Sequence, residues 1–180
     1  MKFVFMLLLA FGAAVYFMLH GEPQYEDTLI AHFPVDSRAD MVGSVTDDPN
    51  MIDRAISSDG KGSLRIESTG KQLVDLYRLW GDEEDLSFRK LVYEADVRTE
   101  GVKGDVFLVM QAGITSAPGG SVAILGRDAA IQGTTDWTTL QASAGNGGGS
   151  HLLEATLQLH IDGPGTVWID DVKLINRHTY

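Results

Sequence analysis

Cysteine is absent from the 180-residue sequence. That excludes disulfides, thiolate nucleophiles, cysteine zinc sites and a lipidated N-terminal cysteine. Basic residues are scarce: 14 Lys and Arg stand against 25 Asp and Glu, giving a net charge of −11. Such acidity argues against nucleic acid as a partner and against docking on anionic lipid through a basic patch. Aromatic residues make up only 8%, little material for a platform of several rings. A catalytic set is missing too. His20, His32, His151, His160 and His178 are scattered along the chain. The acidic run "GDEEDL" (81–86) lacks the alternate spacing of an EF-hand loop. "SAGNGGGS" (143–150) has no lysine and no helix after it, so it is no phosphate loop. Nothing nominates a carboxylate pair for glycoside hydrolysis. The expectation is a protein that is not an enzyme and has no certain cofactor.

What is present falls into two materials. Residues 3–19, "FVFMLLLAFGAAVYFML", hold no charge. As a helix they reach about 25 Å, slightly short of a roughly 30 Å hydrocarbon core. Lys2 before the run also suits a cleavable signal, but no good cleavage site follows it. The reading adopted is an uncleaved transmembrane signal-anchor over 1–21 and a polar linker over 22–27. Lys2 on one side, and Glu22, Glu26 and Asp27 on the other, set a single-pass orientation in an inner membrane. The C-terminal domain then stands on the periplasmic or extracellular side. Ala10, Gly12 and Ala14 offer a small-residue face for packing on other membrane helices.

From residue 28 to 180 the apolar period is two. "KLVYEADVRT" turns Leu91, Tyr93, Ala95 and Val97 one way and Lys90, Glu94, Asp96 and Arg98 the other. "LEATLQLHID" does the same with Leu153, Ala155, Leu157, Leu159 and Ile161 inward. "DVFLVMQ" (105–111) is apolar on both faces and reads as a central or covered strand. Turn clusters such as "SSDGKGS", "TEGVKGD" and "DGPG" separate eight or nine short strands. The fold class expected is all-β, an antiparallel β-sandwich or jelly roll behind one transmembrane helix.

The closing strand breaks its own phase. In "GPGTVWIDDVKL" (163–174) Val167 and Ile169 share one parity and Val172 and Leu174 the other. Two alternatives follow. The strand slips through a bulge at Asp170–Asp171, or Asp170 shares the inner face with Trp168, Val172 and Leu174 and is buried. With "SSDGKGSLRIES" (57–68) near its start, this ending resembles the galactose-binding-like jelly roll of many carbohydrate-binding modules. The resemblance implies a structural Ca²⁺ held by Asp170 or Asp171 and by the turn at Asp59, with Asp36 standing in for the early-strand acid. Pro34 follows Phe33 where that family often has Glu. A sugar ring would stack on an exposed aromatic beside polar groups. Tyr77, Trp80 and Trp137 are the candidates, with Trp168 inside the last strand.

The leading functional expectation is a membrane-anchored accessory or structural subunit. Its partners would be other subunits of a respiratory, photosynthetic or secretion complex, with the sandwich making protein contacts outside the membrane. The alternative is a cell-surface carbohydrate-binding module with a glycan as its partner.

Overall fold

The structure is a computed structural model, and it describes residues 25–41, 51–81, 87–115 and 118–179. These build six β elements: β1 (Tyr25–Phe33), β2 (Ile52–Asp53), β3 (Ser63–Trp80), β4 (Ser87–Ile114), β5 (Ser121–Leu125) and β6 (Ile131–Thr179). No helix among the described residues is long and apolar enough to cross a membrane. The proposed anchor over 1–21, with Ala10, Gly12 and Ala14, lies outside the described residues. β1 already begins at Tyr25.

One ladder order, β2–β3–β6–β4–β5, connects everything, and β1 pairs with the end of β6. β3 lies antiparallel to β6 from Leu64↔Ile169 to Trp80↔Glu154. β4 meets β6 in runs where partner numbers fall as those of β4 rise. Leu91↔Asn176 leads to Glu100↔Thr166, and Val106↔Ile161 leads to Ala112↔Ala155, so these ladders too are antiparallel.

The long elements do not stay extended. Phe33 pairs with Val172 of β6 and Tyr77 with Leu157. Fifteen residues of straight strand would hold those sites about 50 Å apart. Instead the rings of Phe33 and Tyr77 stack with centroids 3.7 Å apart. β6 therefore folds back on itself, and β3 and β4 fold with it. Expected separate strands run together because the bends keep their ladder hydrogen bonds: Thr69↔Pro164, Gly70↔Gly163 and Lys71↔Asp162 continue straight through. Buried Ser68 pins this line, its hydroxyl donating to the carbonyls of Gly70 (2.6 Å) and Gly163 (2.9 Å). Two glycines permit it. Gly165 adopts φ +149, and a Cβ there would lie 2.6 Å from Val102 Cα. A Cβ on Gly104 would lie 1.9 Å from the Asp162 carbonyl oxygen.

The product is a sandwich of two facing layers. One layer contributes Ile66, Leu91, Tyr93, Val97, Leu140, Ile169 and Leu174 to the core; the other contributes Leu76, Leu108, Met110, Leu157 and Ile161. The alternation expected of "KLVYEADVRT" is what buries Leu91, Tyr93, Ala95 and Val97. In "LEATLQLHID" the expected pattern holds from Ala155 onward but fails at Leu153. Ile114 pairs with Leu152 and Gly113 with Glu154, so Leu153 is an extra residue in the ladder. Leu152 turns inward and Leu153 stays exposed.

Candidate functional site

A register slip in β3 shapes one outer face. The ladder passes from Asp75↔Gln158 to Tyr77↔Leu157, so Leu76 is inserted, and both Leu76 and Tyr77 enter the core. Simple alternation groups Tyr77 with Leu73 and Asp75; the bulge instead aligns Leu73, Asp75, Arg78 and Trp80 on the outside. Antiparallel partners share a face. Four rows result: Leu73–His160–Phe107, Asp75–Gln158–Val109, Arg78–Thr156–Gln111 and Trp80–Glu154–Gly113. Leu125, Ala123 and Ser121 of β5 extend the last three rows.

Trp80 is 66% exposed at the rim of this face. Gly113 leaves room for Glu154, since a Cβ there would meet Glu154 Cγ at 2.9 Å. In the next row Arg78 Nε donates to Thr156 Oγ1 at 3.4 Å. Behind it Gln158 Nε2 donates to Asp75 Oδ1 at 2.5 Å. That bond fixes the amide, and Gln158 Oε1 is buried without a hydrogen-bond partner. At the far end the His160 and Phe107 rings stack at 4.4 Å, and the Arg127 guanidinium lies over Phe107. Burial first, and nearby Lys71 next, depress the His160 pKa. One open indole beside a carboxylate, a guanidinium, a hydroxyl and amides is chemistry suited to a polyhydroxylated ligand.

The three aromatic candidates do not converge. Tyr77 is 2% exposed, packed on Phe33 in the core, where burial raises its hydroxyl pKa far above the usual value. Trp137 lies on the other layer, beside the ladder pair Val97↔Thr138. Trp168 is buried; its Nε1 donates to Asp53 Oδ2 at 2.9 Å, and the Arg98 guanidinium lies 5.9 Å from its ring centroid. Only Trp80 stands free. Sequence reasoning missed Arg78, Glu154, Thr156 and Gln158 as site residues. For the last three the signal was present in "EATLQLH" (154–160), where every second residue is polar; Arg78 shares the parity of Trp80 in "VDLYRLW".

The closing strand resolves as a bulge. Asp96 faces Asp170 and Glu94 faces Lys173, so Ala95 alone opposes both Asp171 and Val172. Asp171 takes the left-handed φ of 49° that the extra residue needs. Asp170 is also buried, 1% exposed, but on the outer parity and under the loop between β2 and β3. Its Oδ2 accepts from Ser58 N and Oγ, both at 2.8 Å, and its Oδ1 from Asp171 N at 2.8 Å. Burial raises its pKa against those donors. Asp171 Oδ1 takes His32 Nε2 at 2.7 Å, and Oδ2 takes Lys173. Burial alone would raise Asp171; Lys173 and His32 outweigh it and hold the carboxyl below the usual range. Lys61 Nζ lies 2.7 Å from Asp59 Oδ2 and 3.7 Å from Asp36 Oδ2.

No family model matches the sequence, and no curated protein matches it. Solved structures do match by fold. One is the xylan-hydrolase fragment from Clostridium thermocellum that joins the first family 22 carbohydrate-binding module of endo-1,4-beta-D-xylanase 10B to its catalytic module, complexed with xylohexaose. The TM-score is 0.54 at 14% identity over 82% of this chain. This chain spans 28% of that one's length. Others are a xylan-binding family 22 module from Paenibacillus barcinonensis (TM-score 0.47, 15% identity, 68% of this chain and 77% of that one) and TmCBM61, solved with beta-1,4-galactotriose (TM-score 0.43, 9% identity, 85% of this chain and 88% of that one). The described residues share the β-sandwich fold of that structure's family 22 carbohydrate-binding module.

Proposed function

We propose that this protein is a non-enzymatic carbohydrate-binding module. Its ligand would be a polysaccharide chain laid on the outer face between Trp80 and His160. The observation that carries the reading is the single exposed indole of Trp80, set in line with Glu154, Thr156, Arg78 and Gln158 on a fold that matches a xylohexaose complex. The six-residue step along β6 from Glu154, opposite Trp80, to His160 gives a track of about 20 Å. Xylan is the first ligand to test. Affinity electrophoresis against xylan, β-1,4-galactan and other neutral polysaccharides is expected to show retardation. Trp80→Ala should lose it while Trp137→Ala keeps it. No retardation on any polysaccharide would sink the reading.

The carbohydrate reading stands ahead of a subunit of a membrane complex, for which the apolar run 3–19 is the distinguishing ground. That run would serve as a tether holding the module at the cell surface. Membrane fractionation of the full chain tests the tether separately, since a soluble, full-length product would remove it without touching glycan binding.

A further inference from the structure

The resemblance to carbohydrate-binding modules implies a structural calcium at the seam where the chain after β1, the loop before β3 and the end of β6 meet. The carboxylates nominated for it do not fit one ion. Among the described residues no group of three or more acidic, histidine or cysteine side chains is arranged to hold a metal. The oxygens are spent elsewhere. Asp170 has both oxygens engaged by Ser58 and by the Asp171 amide. Asp171 already holds two basic side chains, His32 on β1 and Lys173 on its own strand. Asp59 Oδ1 accepts from Lys61 N at 2.9 Å while Oδ2 faces the Lys61 ammonium. Asp36 Oδ1 is buried and without a partner. A dication at that oxygen would sit beside the Lys61 ammonium, 3.7 Å from the other oxygen of the same carboxylate, and like charges at that range repel. The early-strand acid is replaced by Pro34.

We infer that this seam takes no structural calcium and is closed by the chain's own groups, with Lys61 and Lys173 supplying positive charge, His32 a hydrogen bond to Asp171 and Ser58 anchoring the loop to Asp170. The seam is then insensitive to chelation, unlike one in which binding energy of a metal is folding energy. The test uses the full chain in mild detergent. Thermal melting is followed by circular dichroism in excess EDTA and in millimolar calcium chloride, and calcium is titrated calorimetrically into chelator-treated protein. Coincident melting temperatures and no saturable heat are expected. A lower melting temperature in chelator, a higher one in calcium, or stoichiometric calcium binding overturns the inference. Ser58→Ala supplies the positive arm: it should melt about 2–4 °C lower in both buffers. A variant that melts like the parent, or that calcium restores, also overturns it.

Discussion

Single residues here carry consequences out of proportion to their size. Asp170 is the acceptor for three donors in a buried place. Asp170→Ala should cost about 2–3 kcal/mol by urea unfolding, because the Ser58 and Asp171 amides lose their acceptor. Asp170→Asn should cost less, since it keeps one oxygen and avoids a buried charge. Asp53 behaves oppositely on the pH axis. The Trp168 indole N–H, and then the amides of Ala55 and Ile56, hold its carboxyl below the ordinary carboxylate value. A depressed folded pKa contributes stability above the unfolded value of 3.8, and that contribution is lost as pH falls through the folded value. Unfolding curves taken from pH 5 downward should therefore steepen in the parent and flatten in Asp53→Asn; parallel curves would contradict this. Tyr77→Ala should cost about 3–5 kcal/mol as a core truncation, whereas Trp80→Ala should leave stability within about 0.5 kcal/mol.

At the scale of elements the bend line decides most. Gly165 meets Val102 backbone where a side chain would go, and its φ is one an L-residue resists. Gly70 sits at the same level with nothing within 4 Å of an added Cβ. Gly165→Ala should therefore destabilise severely or block folding, while Gly70→Ala should be neutral within about 1 kcal/mol by the same measurement. Equal effects at the two sites would undermine the folded-ladder description. How much of this the sequence reveals follows from the same contrast. Period-two runs such as Leu91–Val97 are readable because both neighbours in the ladder impose one polarity per face. The single-residue insertions at Leu76 and Leu153 are not readable, since a bulge leaves the composition untouched and reverses every later side chain. Asp170–Asp171 was readable because its polar pair interrupts an apolar strand. Leu76 lies among apolar neighbours and gives no such mark. The misplacement of Tyr77 comes from that one hidden residue.

For the whole molecule, the all-β sandwich was legible as a class. The site was legible only in part, because its rows are drawn from residues far apart in the chain: Trp80 with Glu154, and Asp75 with Gln158. Polysaccharide binding should accordingly need both layers closed, so urea that unfolds the sandwich and urea that abolishes retention should coincide in midpoint. β6 has a further consequence. It is the partner of β1, of β3 and of β4 alike. Sequence-distant ladders close slowly. A chain emerging from the ribosome leaves β1 without its partner, and β3 with only the two-residue β2, until residues 154–179 arrive, whereas β4 can already pair with β5 and with residues 131–145. During that interval β1 and β3 expose edges to any other strand, and a quality-control system that holds unpaired edges would engage this protein before residues 154–179 emerge.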